Sequence, residues 1–304
     1  MKINIFFLFL SLLIIPISFI LNLFSYQAIS LVFLLKLLQT GLFITFIYLV
    51  GRWDWFSFYL RYIFLLLLLV ILFNTYKLSF HQYTLIVPGN LSEYIINIFI
   101  NLLFFVFLLK AIVGRKTKES HIVCGFPLKS GNYYIAHGGA SKILNHHYVI
   151  SSHKYALDIL KLNNFGFRCK GIYPKKLDRY FIFGEPVYAP KGGIVTKVIN
   201  EFGDLIPPEK DEVNKFGNHI VINIGKDIYI LLAHLMKGSI LVKEGEKVSQ
   251  GQMIGKVGNS GNTTEPHLHI HCVKTINDDY LKESDGMPML FNGKFLIRNN
   301  LMRM

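Results

Sequence analysis

Cysteine is scarce in this chain. Its 304 residues hold three, Cys124, Cys169 and Cys272, with no CxxC pair. That excludes a thiolate metal knuckle and a thioredoxin-like redox motif. A Cys124–Cys169 bridge is expected only if the C-terminal part lies in an oxidising compartment. Acidic residues are also few, 19 Asp and Glu against 32 Lys and Arg, a formal net charge of +13. From Gly114 onward the count is 26 basic to 17 acidic, with the basic residues scattered. No basic helix or aromatic-interleaved patch stands out, so no nucleic-acid partner is expected. An anionic cell wall or membrane surface suits the same charge.

Charge of either sign is rarest before Val113, and there long apolar runs replace it. Ile5–Phe24, Ile29–Val50 and Tyr94–Val113 are each long enough to cross a bilayer as helices. Tyr62–Phe73 is as apolar but short, with Arg61 and Lys77 near its ends. The expected membrane region, residues 1–113, therefore has three or four spans. No small-residue cleavage site follows the first run and further runs come directly after it, which argues against a signal peptide. Lys36 within the second run reads as a lysine on an interhelical face rather than an ion pathway.

A basic linker is expected over 114–130 and a separate domain over 131–304. Long helical periodicity is missing from that domain. Short runs rich in Val, Ile and Tyr take its place: Asn132–Ala136, Tyr155–Leu160, Pro186–Ala189, Gly193–Ile199, His219–Ile224, Ile228–Leu232, Met253–Val257 and His267–Val273. Turns such as Gly192-Gly193 and Asn259-Ser260-Gly261 separate them. The expected fold is mainly β, an antiparallel sheet with long groove-forming loops, preceded by the helical membrane region.

Histidine carries the chemistry. The run Pro266-His267-Leu268-His269-Ile270-His271 alternates at the strand period, so the three imidazoles share one face. Buried ring nitrogens need partners, and a metal is one. Upstream, Asn145-His146-His147 precedes Asp158, a carboxylate flanked by apolar residues that is costly to bury unless paired or metal-bound. His234 ends the apolar run Ile228–His234. Two histidines and one carboxylate with an open position compose a catalytic zinc site rather than a closed structural one. Cys272 is out of phase with the histidines and reads as a small buried hydrophobe.

These segments, VYAPKGGIVTKV, GNHIVINI with IYILLAHL, and VKEGEKVSQGQMIGKVGNSGNTTEPHLHIH, resemble the lysostaphin/LytM-type zinc metallopeptidases over roughly residues 131–291. The resemblance implies a zinc-dependent endopeptidase acting on peptidoglycan peptides. It implies zinc held by a histidine, by Asp158 and by His269, with His234 and His267 as the catalytic pair whose separate roles stay open. The family's HxxxD spacing fails here, because Lys154 stands four residues before Asp158. The NHH element then points to His147 as first ligand, with His146 and His153 as alternatives. His271 is expected beyond the ligands, and Glu265 as a loop residue. A substrate outside the cell implies a multi-pass protein of the cytoplasmic membrane, its lipid bilayer contact made by residues 1–113 and its catalytic domain extracytoplasmic. With Lys2 inside, that requires an odd number of spans, and Tyr62–Phe73 is the run expected not to cross. Two rival readings are a biotinyl/lipoyl-type carrier, for which no modifiable hairpin lysine stands out, and an inactive relative that binds or regulates at the cell wall.

Overall fold

The computed structural model describes residues 5–26, 29–79, 90–275 and 284–304. Lys2 lies outside the described residues. The chain divides into two compact units, one of Met1–Trp53 with Tyr59–Ile112, the other of Asp54–Phe58 with Val113–Met304.

The first unit holds α1 (Phe6–Phe24), α2 (Leu31–Val50), α3 (Leu60–Ser79) and α4 (Leu91–Val113), all long and apolar enough to span a membrane. The apolar run Tyr62–Phe73, expected from its length not to cross, belongs to a longer helix. It is the middle of α3, whose 20 residues reach about 30 Å at 1.5 Å per residue. Thr75 Oγ1 donates back to the Ile71 carbonyl at 2.9 Å, and the Arg61 guanidinium sits over the Tyr48 ring at 4.0 Å. Lys36 pairs with Glu93 at 3.5 Å, consistent with an interhelical rather than a pathway lysine.

The second unit is β-rich. Its strands are β1 (Ile122–Cys124), β2 (Asn132–His137), β3 (Leu157–Leu162), β4 (Pro186–Tyr188), β5 (Gly193–Ile199), β6 (Asn218–Asn223) and β7 (Ile228–Leu235). They continue as β8 (Lys247–Val248), β9 (Met253–Lys256), β10 (Leu268–Thr275), β11 (Ser284–Met287), β12 (Met289–Phe291), β13 (Lys294–Phe295) and β14 (Leu301–Arg303). The main sheet runs β14-β2-β3-β10-β7-β6-β5-β8, with β11 also on β10. Every pairing in it is antiparallel. β4 pairs with β9, and β1 joins β12 in parallel. Ile122–Cys124, within the stretch read as a linker, is thus a paired strand. The strand expected at Tyr155 begins at Leu157, because Asn145 Nδ2 donates to the carbonyls of Lys154 and Ala156 at 3.3 and 3.0 Å and ties that stretch to the preceding turn.

Alternation along β10 sorts the sheet into two faces. Leu268, Ile270 and Cys272 enter the main core with Leu157, Ile159, Ile220, Ile222, Ile230 and Leu232. The opposite face carries His269 and His271, flanked by two smaller apolar clusters. One holds Val221, Leu231, Ala233 and Val273; the other holds Tyr134, Ala136, Leu160 and Leu162 under Phe58. All three cysteines are buried and free, so the conditional Cys124–Cys169 bridge is absent. Cys124 packs in the main core, whereas the Cys169 thiol donates to the Gly171 carbonyl at 3.1 Å.

Candidate functional site

The antiparallel register sets His269 of β10 directly opposite Asp158 of β3. Such cross-strand neighbours on one face hold their Cβ atoms within about 5.5 Å. Asp158 Oδ1 lies 2.9 Å from His269 Nδ1. His147, on the short turn His146–Val149, brings Nε2 to 3.1 and 3.0 Å from the two carboxylate oxygens. Asn145 fixes that turn, its Oδ1 accepting the His147 backbone N–H at 3.1 Å. His147, Asp158 and His269 each offer a donor atom, all within 4.8 Å of one another. Two imidazole nitrogens and a carboxylate oxygen suit zinc, and a three-ligand set leaves a position open, so the residues present fit that ion.

Burial opposes the charge on Asp158, but His147 and His267 outweigh it and hold the carboxyl well below its usual range. Burial drives His269 down to about 3, against the pull of Asp158. The imidazole therefore stays neutral, as a metal ligand must. Its far nitrogen, Nε2, meets His271 Nδ1 at 2.9 Å on the same strand face.

His234 and His267 stand on the other side of His269, with ring centroids 4.7 Å apart. His234, next to last in β7, takes φ +62° at an irregularity of the β6–β7 pairing, a left-handed conformation uncommon outside glycine. Its backbone N–H donates to the Phe216 carbonyl at 3.1 Å instead of continuing the ladder. The ring donates from Nδ1 to the Ser260 carbonyl at 2.8 Å. His267 likewise has Nδ1 2.9 Å from the Glu265 carbonyl oxygen. A carbonyl only accepts, so both rings are protonated at Nδ1 when neutral and carry the lone pair on Nε2. His267 Nε2 lies 3.6 Å from Asp158 Oδ1. Burial, with the neighbouring His267 and His269, keeps His234 far below the usual imidazole range.

The turn between β9 and β10 supports this pair. Gly217 (φ +55°) and Gly261 (φ +89°) pass so close that a Cβ on either would lie 2.4 Å from the other's segment. Glycine is therefore required at both, and the contact holds Ser260 under His234. Asn218 and Ser260 complete the join, the Asn218 N–H donating to Ser260 Oγ at 2.9 Å and Ser260 Oγ to the Leu235 carbonyl at 2.8 Å.

Of the alternative first ligands, His146 falls in a second donor group with His137 and Asp158. His153 falls in none among the described residues; its Nδ1 meets Ser152 Oγ at 2.8 Å and its ring stacks on Phe216. His137 was not singled out in the sequence, although it ends β2, directly after the run Asn132–Ala136. It borders Asp158 across β2 and β3, and Arg298 donates to its Nδ1 at 2.7 Å. Glu265, read as a loop residue, is buried and pairs with Arg168 at 2.8 Å. No pattern around Arg168 announces that contact.

Residues 180–282 match the sequence profile of peptidase family M23. The peptidoglycan DD-endopeptidase ShyA of Vibrio cholerae is 39% identical over 90 residues, 30% of this chain and 18% of that protein. ShyC of the same organism is 37% identical over 87 residues, 28% of this chain and 17% of its own length. The chain thus spans less than a fifth of either relative. The catalytic domain of the antimicrobial peptidase lysostaphin from Staphylococcus simulans is similar at 23% identity and TM-score 0.26, covering 38% of this chain and 81% of that one. Within the β-rich unit, residues 180–282 thus match peptidase family M23, and the histidines of that stretch converge with His147 and Asp158, which precede it.

Proposed function

We propose that this chain is a membrane-anchored, zinc-dependent endopeptidase that hydrolyses peptide bonds of peptidoglycan on the extracytoplasmic side of the cytoplasmic membrane. The observation carrying this reading is the convergence of His147, Asp158 and His269 beside two histidines that both turn Nε2 away from a backbone carbonyl. His147, Asp158 and His269 would hold the metal. Zinc bound there supplies Lewis acidity toward a carbonyl and lowers the pKa of water toward neutrality. His234 and His267 manage protons. Each presents an unprotonated Nε2 that accepts a proton from a nucleophile and, once charged, donates to an oxyanion or a departing amine. Asp158 Oδ1 lies 3.6 Å from His267 Nε2, which sets that nitrogen beside the candidate metal site.

The fold also bears on orientation. Asp54–Phe58, between α2 and α3, belongs to the β-rich unit, which supports its lying on that unit's side of the membrane. Two apolar helices precede it and two follow. Four crossings put the N-terminus, Asp54–Phe58 and the peptidase domain on one side. An extracytoplasmic domain then goes with an extracytoplasmic N-terminus.

The test is incubation of the purified full-length protein with cell-wall sacculi, with and without chelator, followed by mass analysis of released fragments. New peptide termini that vanish with chelator are expected. Intact stem peptides and cross-links in both arms would overturn the reading.

A further inference from the structure

The segment between the second and third apolar helices is built into the peptidase domain. Phe58 lies against Tyr134, with ring centroids 6.0 Å apart, on the face of the sheet that carries Asp158. Its N–H donates to the Gly166 carbonyl at 2.9 Å, and Ser57 Oγ donates to the Phe165 carbonyl at 2.8 Å. Trp55 stacks on Tyr173 at 5.4 Å, and the Arg168 guanidinium lies 3.8 Å from the Trp55 ring. A flexible loop passing a domain would not bury two aromatic rings and pair its backbone in this way.

Asp54 completes the arrangement. Arg168 is 2% exposed, and its charge is set between two carboxylates that are themselves buried. Nε donates to Glu265 Oε2 at 2.8 Å and lies 3.7 Å from Asp54 Oδ2. The rest of the fork also binds, Nη1 donating to the Asp54 carbonyl at 3.4 Å and Nη2 to the Ile172 carbonyl at 3.0 Å. A buried guanidinium is costly without such partners.

From Glu265 the connection to the site is two bonds long. Arg168 grips the Glu265 side chain, while the Glu265 carbonyl receives the Nδ1 proton of His267 at 2.9 Å. Thr263 Oγ1 donates to the same carbonyl at 2.7 Å, and Tyr173, beneath Trp55, donates to the Thr264 carbonyl at 2.7 Å. The Thr263–His267 turn is thus held from below by side chains that Asp54 and Trp55 cover. Its placement sets where His267 Nε2 points.

We propose that Asp54, on the segment joining the second and third apolar helices, and Arg168 are positioning residues for His267. The proposal rests on the endopeptidase reading for its kinetic arm only.

The experiment uses the full-length protein in detergent micelles, comparing wild type with Asp54→Asn, Arg168→Lys and the packing control Phe58→Leu. Zinc content, thermal stability, kcat and KM on a cross-linked muropeptide, and amide exchange by mass spectrometry are measured for each. Asp54→Asn and Arg168→Lys should keep zinc and KM within about two-fold while kcat falls ten- to hundred-fold, since small misplacement of a proton-transfer group has that effect. Peptides covering residues 263–268 should exchange faster than in wild type. Phe58→Leu should lose stability yet keep kcat. Unchanged kcat in both Asp54→Asn and Arg168→Lys would overturn the proposal, as would an equal loss of kcat in Phe58→Leu. If wild type cleaves nothing, the endopeptidase reading fails by itself, and the exchange at 263–268 decides whether Asp54 holds that turn. If Asp54→Asn does not fold, Arg168→Lys, which keeps the charge and loses the fork, carries the same test.

Discussion

Replacing His271 by leucine should weaken zinc binding about ten- to hundred-fold without abolishing it. His271 is 1% exposed, and its Nδ1 stands 2.9 Å from His269 Nε2. His269 turns its other nitrogen, Nδ1, to Asp158, so a metal held there forces the remaining ring proton onto Nε2. That proton needs an acceptor, and His271 supplies it. Leucine leaves a buried donor unpaired in the metal-bound state, at about 1–3 kcal/mol. The metal-free protein escapes most of this penalty, because the ring can move its proton to Nδ1 and donate to Asp158. The difference falls on affinity, where about 1.4 kcal/mol is one factor of ten. Metal-free stability should hold or rise, since an imidazole that burial keeps neutral is replaced by an apolar side chain. Competition with a chromophoric chelator gives the dissociation constant, and calorimetry the metal-free melting point. His271→Gln, which retains an acceptor, should lie between wild type and leucine. An unchanged dissociation constant would refute the orienting role. A loss beyond about ten-thousand-fold would make His271 a ligand, which this reasoning excludes.

Other outcomes follow from the same geometry. Asp158→Ala and His269→Ala should each abolish zinc binding by metal analysis of the folded protein, and of the three upstream histidines only His147→Ala should do the same. His234→Ala and His267→Ala should retain zinc and lose about a hundred-fold or more in kcat, as removal of one proton-transfer group typically does. The metal-free protein should lose stability as pH falls below about 6.5. His234, His269 and His271 are held neutral by burial, His269 down to about 3, so the unfolded chain binds the extra protons. Stability is full above the unfolded value and falls by roughly 1 kcal/mol for each imidazole between pH 6.5 and 5.5. Urea titrations at the two pH values measure it, and equal midpoints would show that the rings are solvated. Reporter fusions before Ile5 and after Lys118 should report the same side of the membrane; opposite sides would break the four-span arrangement.

The alternation of Leu268, His269, Ile270 and His271 was enough to set two imidazoles on one face and the apolar residues on the other, while His267 lies just before the strand. Side-chain direction in a strand depends on period alone. The apolar helices were legible for a similar reason, since length and composition decide whether a segment suits a bilayer. Asp158 declared itself by the cost of burying a lone carboxylate. Three features were not local, and only the folded chain decided them. The register of β3 against β10 sets Asp158 opposite His269. The left-handed turn at His234 depends on Phe216 and Ser260, which accept its backbone and ring protons. Arg168 lies 114 residues from Asp54 and 97 from Glu265. A buried ion cluster assembled across such separations has no sequence period, because each member's neighbours along the chain are unrelated to the partners that neutralise it. For that reason the sequence divides cleanly at Val113, while the structure takes Asp54–Phe58 out of the helical region and folds it into the domain that carries the histidines.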